Sequence, residues 1–184
     1  TPAYAVEQSR QVASVMADKS RKAMDLAMEL LQGYDEAKAE QVAQMETDVD
    51  RFEDELGTYL VKLSSRQLSG KDSETLNTIL HCIGDFERIS DHARNVKEAA
   101  QEMYDKKLDF SDKAQEELKV FERAVHDILD ITMNSFIKGD LNLARQVEPM
   151  EEVIDGLSLD VKQRHVRSCL LYTSPSPRDG ATSR

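Results

Sequence analysis

The chain contains no proline between Pro2 and Pro149. Over that stretch, apolar residues recur at steps of three and four, which is the pattern of amphipathic α-helices that each bury one face. A proline inside a helix removes a backbone hydrogen bond and clashes with the preceding turn. A stretch this long without one therefore predicts an all-α protein built from long helices.

Five helices are predicted, separated by short polar breaks. Gly33, Gly70 and Gly139 each stand shortly before an aspartate, which fits a glycine that ends one helix and a polar side chain that caps the next. Ser111 is the predicted cap of the fourth helix. Connections this short make neighbouring helices antiparallel, so the predicted fold is an antiparallel helical bundle. The apolar positions that mark the five helices are Val12, Val15, Met16, Ala23, Leu26 and Leu30; Val42, Met45, Val49, Phe52, Leu56, Tyr59 and Leu63; Leu76, Ile79, Ile83, Phe86, Ser90, Ala93 and Ala100; Leu118, Phe121, Val125, Ile128, Thr132 and Phe136; and Val147, Met150, Ile154, Leu157 and Val161.

Charge and cysteine content narrow the possible functions. The formal net charge of -11 argues against a nucleic-acid binder, which needs a basic face against phosphates, and it is compatible with cation binding by carboxylates. Two cysteines form no disulfide framework, which favours a reducing compartment. No signal peptide and no long apolar run occur in the sequence, so no membrane-spanning segment is predicted within these residues.

The C-terminal residues differ in character from the rest of the chain. Residues 169–184 read CLLYTSPSPRDGATSR, with two prolines, three serines and no helical period. This stretch resembles the in-frame translation of a sequencing-library adapter. We therefore expect a non-native, disordered tail there, and a natural sequence that is cut off near Ser168.

An internal repeat appears when the chain is shifted by 105 residues. Residues 33–50 then lie over residues 138–155, and seven of eighteen positions are identical without a gap. The repeat predicts a three-helix unit whose second copy is truncated: a junction at 1–8, a first repeat at 9–108, an incomplete second repeat at 109–168, and the tail at 169–184. The identical pairs are Asp35/Asp140, Ala39/Ala144, Gln41/Gln146, Val42/Val147, Met45/Met150, Glu46/Glu151 and Asp50/Asp155.

Two pairs of acids share one spacing and one relation to the apolar stripe. Glu46–Asp50 and Glu87–Asp91 are each four residues apart, so each pair lies on one face of its helix. Each acid directly follows an apolar-stripe position and so flanks the core. If helices two and three are antiparallel neighbours, the four carboxylates converge on one groove, where a cation would relieve their repulsion. The alternative is a solvated face, because acids are frequent in this chain.

The second pair lies in a longer motif. FERISDHARN (86–95) resembles the E-R-I-G-D-H-A-x-N motif of the PhoU family of helical regulators of phosphate uptake, and ETDVD (46–50) and EEVID (151–155) resemble its E-x-x-x-D motif. The resemblance covers about residues 9–167 and implies two three-helix repeats, each with a multinuclear metal site. It implies metal ligands at Glu46, Asp50, Glu87, Asp91, Glu151 and Asp155.

One position departs from the family motif, and one matching position has no settled role. Ser90 stands where the family motif has glycine, which still permits close helix packing but adds a hydroxyl. Asn95 matches the last motif position and is a candidate to orient a ligand. Oxygen ligands admit Mg, Mn, Fe or Ca, and the sequence does not choose among these divalent or transition metals.

The N-terminal segment gives a context for the domain. TPAYAVEQSR (1–10) resembles the junction that follows the membrane region in bacterial sodium–phosphate cotransporter proteins, which carry a PhoU-like domain at the C-terminus. The resemblance implies a non-enzymatic regulatory domain on the cytoplasmic side of the membrane. Its implied partners are a transporter domain upstream in the same chain, and a protein partner or a second copy. The alternatives are a free-standing regulator of phosphate-specific transport and signalling, and a metal-free structural bundle.

Other kinds of site have weaker sequence support. No histidine has a glutamate three residues before it, which argues against a ferritin-type di-iron oxidase. No glycine-rich phosphate loop and no nucleophile motif is present. His92 is turned about 100° away from Asp91 along the helix and need not bind metal. The basic cluster of Lys19, Arg21 and Lys22 is most simply a solvated face.

Overall fold

A computed structural model describes residues 1–139 of the protein, and these residues form four long α-helices. Helix α1 spans Pro2–Leu30, α2 spans Glu36–Ser64, α3 spans Gly70–Asp105 and α4 spans Asp112–Lys138. No strand occurs within residues 1–139, so the predicted all-α class is confirmed for that range. None of these helices is both long and apolar enough to cross a membrane.

Polar caps fix most of the helix ends where the sequence predicts them. Asp35 caps α2 by accepting a hydrogen bond from the backbone N–H of Lys38, and Ser111 caps α4 in the same way. Gly139 ends α4 in the left-handed conformation, with φ of 69°. The prediction for Gly70 was wrong: α2 already ends at Ser64, and Gly70 is the first residue of α3, directly after the cap Ser69.

Helix α1 lies at the centre of the described bundle and packs against each of the other three helices. Lys19 pairs with Asp48 near the middle of α2, and the N-terminal Lys38 of α2 pairs with Glu29 near the end of α1, so α1 and α2 are antiparallel. Helix α3 runs parallel to α1. The hydroxyl of Ser20 donates to the carbonyl of Phe86 halfway along α3. Further along, the ring of Tyr34, which follows α1, stacks on the ring of Tyr104 in the last turn of α3.

Helix α4 runs antiparallel to α1, and polar contacts join the two helices. Arg21 pairs with Asp130, and further along α1 Asp25 contacts His126. The fourth helix also touches α3, because the rings of Phe136 and Phe86 meet edge to face at 5.0 Å between centroids.

The buried face of α1 consists largely of small side chains. Ala13, Ala17, Ser20, Ala23 and Ala27 are all fully buried, which lets three neighbouring helices approach the α1 backbone closely. Two predicted core positions of this helix were wrong. Val12 is 36% exposed and Val15 is 49% exposed, because the helix turns its alanine and serine side toward its neighbours.

Several predictions concern residues outside the described range. The fifth helix, the three-helix organisation of the second repeat and the tail at 169–184 all lie beyond Gly139. The proposed domain boundaries therefore stay predictions. At the N-terminus, residues 2–8, which were assigned to the junction, form the first two turns of α1.

Candidate functional site

The contact between α2 and α3, here called the α2–α3 seam, brings both acid pairs together. The two helices run antiparallel, because Glu46 contacts Arg94 while Gly57 lies next to Ile83. A β-carbon placed on Gly57 would lie 3.8 Å from Cδ1 of Ile83, so the backbone of α2 lies close to α3 at that level. This pairing places the Glu46–Asp50 segment alongside the Glu87–Asp91 segment.

Each acid lies at the edge of the core, as its position after an apolar residue predicts. Val49, Phe86 and Ser90 are buried, and the acids that follow them are displaced by one position around the helix. Glu46, Glu87 and Asp91 are half-buried, and Asp50 is exposed at the rim of the seam. The carboxylates of Glu46, Glu87 and Asp91 therefore border the core, whereas Asp50 is more open to solvent.

Electrostatics show that these acids share one environment. Burial raises the pKa of Glu87, and the negative charges of Asp91, Glu53, Asp50 and Glu46 raise that pKa further. The other three predicted ligands of the first repeat therefore lie close enough to Glu87 to act on it, Asp91 from the same helix and Glu46 and Asp50 from across the seam. A carboxylate surrounded by like charges is harder to ionise, and a bound cation removes that cost.

Glu53 was not among the predicted site residues. Burial raises its pKa, and the neighbouring charges of Asp54 and Asp50 add to the effect. Glu53 lies three residues after Asp50, so the two share a helix face. Its contribution to the pKa of Glu87 shows that it also faces α3. Its spacing of three residues from Asp50 was the sequence feature that could have identified Glu53 as a site residue.

Arg94 was also missed, and it makes the shortest described contact across the seam. Its Nη1 donates to Oε1 of Glu46 on α2 at 2.8 Å, and its Nη2 donates to Oδ1 of Asp91 on its own helix at 2.5 Å. One guanidinium thus binds one carboxylate from each acid pair. Arg94 occupies the variable position of the motif that FERISDHARN resembles, so the motif gave no reason to select it.

Serine fits at position 90, where the resembled motif has glycine, without leaving its hydroxyl unpaired. Its side chain is buried, and its hydroxyl donates to the carbonyl oxygen of Glu87 at 2.8 Å. The extra hydroxyl is therefore satisfied within α3 and does not take up a carboxylate of the seam. The serine still leaves room for α1 at this level, where Ser20 reaches the carbonyl of Phe86.

The donor set of the seam fits a hard divalent cation, although the side chains are not arranged as a closed cage. Carboxylate oxygens are the ligands that Mg, Mn and Ca prefer. Within residues 1–139, no group of three or more histidine, cysteine, aspartate or glutamate side chains lies in position to hold a metal ion. Glu46 and Asp91 instead bind Arg94. Glu151 and Asp155, the predicted ligands of the second repeat, lie outside the described residues.

The thiol and one histidine outside the seam have structural explanations. Burial raises the pKa of Cys82 to about 11, with a smaller contribution from Asp85, so the thiol is protonated at neutral pH and is a poor nucleophile. His126 lies 3.0 Å from Asp25 between Nδ1 and Oδ1 and joins α4 to α1. Two residues of the basic cluster likewise join helices: Lys19 reaches α2 and Arg21 reaches α4, so the interpretation as a solvated face was wrong for them. Lys22 is exposed and pairs with Asp18 within α1.

A separate cavity of about 300 Å³ lies at the end of the bundle where α1 and α3 finish and α4 begins. The stacked rings of Tyr34 and Tyr104 and the side chains of Met103 and Leu118 line it. The hydroxyl of Tyr34 is bound to Glu36. This cavity lies along α3 beyond Arg94 and shares no lining residue with the acid seam.

A comparison with models of protein families gives a match for this chain. Residues 13–100 match the family model described as the PhoU domain. The matched range covers just under half of the chain and includes both acid pairs of the seam. This part of the chain is therefore a PhoU-like domain. No curated protein and no solved structure matches the chain.

Proposed function

We propose that this chain is a regulatory domain that senses or controls phosphate uptake, and that it works through metal bound by the carboxylates of the α2–α3 seam. The observation that carries the proposal is the effect of neighbouring acids on Glu87 within the PhoU-like region. The pKa of Glu87 is raised by the charges of Glu46, Asp50 and Asp91, the other three proposed ligands of the first repeat.

The proposed role of the metal is to hold α2 and α3 together. Glu46 and Asp50 would supply oxygen ligands from α2, and Glu87 and Asp91 would supply them from α3. The metal would neutralise the repulsion within the seam and so stabilise the pairing of the two helices. The proposed domain is not an enzyme. Its metal would fix a surface that a transport protein can recognise.

The proposed context is a sodium–phosphate cotransporter protein, with this domain following the membrane region on the cytoplasmic side. The support is the likeness of TPAYAVEQSR to the junction of such proteins. A sequencing read across the source DNA upstream of Thr1 tests this context. Codons for transmembrane helices would support the cotransporter, whereas a start codon directly upstream would support a free-standing regulator.

Metal binding is tested on the full chain after removal of metal with a chelator. Calorimetric titration with Mn²⁺ should show binding, and Mn²⁺ should raise the unfolding temperature. The double variant Glu46→Ala/Asp91→Ala should lose both effects. The matched control is Glu40→Ala/Glu98→Ala, which removes one exposed acid from each of the same helices and should bind Mn²⁺ like the wild type. Equal Mn²⁺ binding by both double variants would exclude the proposed ligands.

The second candidate is a metal-free structural bundle, and the Arg94 bridge is the observation that favours it. An arginine that joins Glu46 to Asp91 already ties α2 to α3 without any metal. This candidate predicts no Mn²⁺ binding by the wild type. It also predicts that phosphate uptake by cells carrying the native gene is the same with wild-type and Glu46→Ala/Asp91→Ala sequences. The regulatory proposal predicts instead that uptake in the variant no longer responds to external phosphate.

A further inference from the structure

Arg94 holds two carboxylates that the proposed metal site needs. Its two terminal nitrogens bind Glu46 and Asp91, one acid from each helix of the seam. The side chain of Glu46 is only 15% exposed, so its charge has little access to water and requires a partner. In the described conformation that partner is the guanidinium.

The guanidinium neutralises the seam only in part. It binds two of the five carboxylates of the seam, those of Glu46 and Asp91; the other three are those of Asp50, Glu53 and Glu87. The four other acids still raise the pKa of Glu87 in the presence of Arg94. The seam therefore retains an excess of negative charge that attracts a cation, while two of its donors are already engaged.

We propose that Arg94 is a built-in counter-ion that competes with metal for Glu46 and Asp91 and thereby sets the metal affinity of the seam. This inference rests on the proposed function, because it assumes that these carboxylates are metal ligands. Metal enters when the guanidinium leaves both acids, so each loading event exchanges an internal cross-helix ion pair for metal–carboxylate bonds. A cation joins α2 to α3 in both states: the guanidinium of Arg94 in the metal-free chain, and the metal ion after loading.

If Arg94 competes with metal, its removal should lower the stability of the metal-free chain and raise the affinity of the seam for metal. Without metal, loss of the guanidinium leaves Glu46 unpaired and increases repulsion in the seam, so the chain should unfold more easily. With metal, no ion pair has to be broken before loading, so binding should be tighter. Hydrogen bonds between charged groups are strong enough for a gain of about tenfold in affinity. If Arg94 merely positioned the ligands, its removal would lower both the metal-free stability and the metal affinity.

The experiment compares wild type with Arg94→Gln in the full chain. Calorimetry measures the dissociation constant for Mn²⁺, and thermal unfolding in excess chelator measures stability without metal. Arg21→Gln is the matched control, because Arg21 also bridges one acid of its own helix, Asp18, and one of a neighbouring helix, Asp130. It should lower the unfolding temperature without changing Mn²⁺ affinity. If Arg94→Gln does not fold, Arg94→Lys is measured instead, since a single ammonium cannot bridge both acids in the same planar geometry.

The outcomes separate this inference from the proposed function. Tighter Mn²⁺ binding together with a lower metal-free unfolding temperature supports the competition. Mn²⁺ binding that appears only in Arg94→Gln supports it as well, because the guanidinium then blocks the site in the wild type. Wild-type binding that is unchanged or weakened in Arg94→Gln overturns the role of Arg94 and leaves the metal site in place. Absence of Mn²⁺ binding from both proteins overturns the metal site and the competition together.

Discussion

The hydroxyl of Ser20 on α1 donates a hydrogen bond of 2.9 Å to the backbone carbonyl of Phe86 on α3. The same hydroxyl lies 2.9 Å from the carbonyl of Met16 one turn earlier in its own helix. Ser20 is fully buried, and Phe86 directly precedes Glu87 of the acid seam. A single small polar side chain therefore joins the central helix to the segment of α3 that carries the candidate site.

We expect Ser20→Ala to lower the free energy of unfolding by about 1 kcal/mol, the usual contribution of a buried neutral hydrogen bond. Ser14→Ala is the matched control, since Ser14 is half-buried on α1 and its described hydrogen bond, to Arg10, stays within that helix. The two variants are compared by urea unfolding. A loss for Ser14→Ala equal to that for Ser20→Ala would mean that the bond to Phe86 contributes nothing specific.

Because of repulsion within the seam, we expect the charge of Glu87, one of the proposed ligands, to destabilise the metal-free chain. Because burial and four nearby acids raise the pKa of Glu87, its ionised form is disfavoured in the folded state at neutral pH. Glu87→Gln keeps the shape and removes the charge. It should raise the free energy of unfolding in chelator by about 0.5 kcal/mol, the size of interactions between partly exposed charges.

The same substitution should weaken Mn²⁺ binding. Compared with wild type, Glu87→Gln is therefore expected to be more stable in chelator and less stable in Mn²⁺. Glu98→Gln, an exposed acid on the same helix, serves as the control and should change neither quantity. Urea unfolding with chelator and with Mn²⁺ measures both effects. A Glu87→Gln variant less stable than wild type in chelator would contradict the repulsion inferred for this position.

The sequence predicted the described helices and the helix faces that carry the acids, because both depend on local periodicity. The caps Asp35 and Ser111 and the glycine at Gly139 were predicted from residue type alone, since their chemistry is satisfied within one turn. The location of Glu46, Asp50, Glu87 and Asp91 beside the core follows from their register with the apolar stripe. A helix has one rotational setting once its core face is known, so the position of these side chains around their helices follows from the sequence.

Contacts between helices were harder to predict. Arg94 reaches Glu46 because two long side chains extend across the seam, and sequence spacing within α3 does not determine which residue of α2 lies opposite. The error at Val12 and Val15 has a related cause. Apolar type suggested burial, but α1 presents a face of alanine, serine and methionine to its three neighbours, and Val12 and Val15 lie outside that face.

Lys107 lies just beyond the end of α3, and its substitution with glycine should stabilise the chain. Lys107 has φ of 54°, in the left-handed region, and the following N–H of Leu108 bonds to the carbonyl of Met103 at 2.9 Å. A β-carbon is disfavoured in this conformation, and glycine is the usual residue at such a helix end. We expect Lys107→Gly to raise the free energy of unfolding by about 0.5–1 kcal/mol, measured by urea unfolding.

The neighbouring lysine provides the control for this prediction. Lys106 has φ of -84°, in the right-handed region, where glycine adds flexibility to the unfolded chain without relieving strain. Lys106→Gly should therefore lower stability. Equal effects of the two glycine substitutions would show that the left-handed backbone at Lys107 costs nothing measurable.

The contact between His126 on α4 and Asp25 on α1 predicts a pH dependence of stability. The hydrogen bond to Asp25 raises the pKa of His126, the charges of Asp25, Asp130 and Asp127 add to this, and partial burial opposes it. A histidine whose folded-state pKa is raised contributes stability that is fully present below its unfolded-state pKa of about 6.5 and is lost as the pH rises through the folded-state value. The contribution should therefore be largest near pH 6 and absent well above neutrality.

The comparison of wild type with His126→Gln isolates this contribution, because all other titrating groups are shared. Since the imidazole is half-exposed, the wild type should be more stable than the variant by about 0.5 kcal/mol near pH 6, and this difference should vanish at alkaline pH. Urea unfolding in chelator across that pH range measures it. A difference between wild type and His126→Gln that stays constant with pH would show that the imidazole joins α4 to α1 by packing and not through its charge.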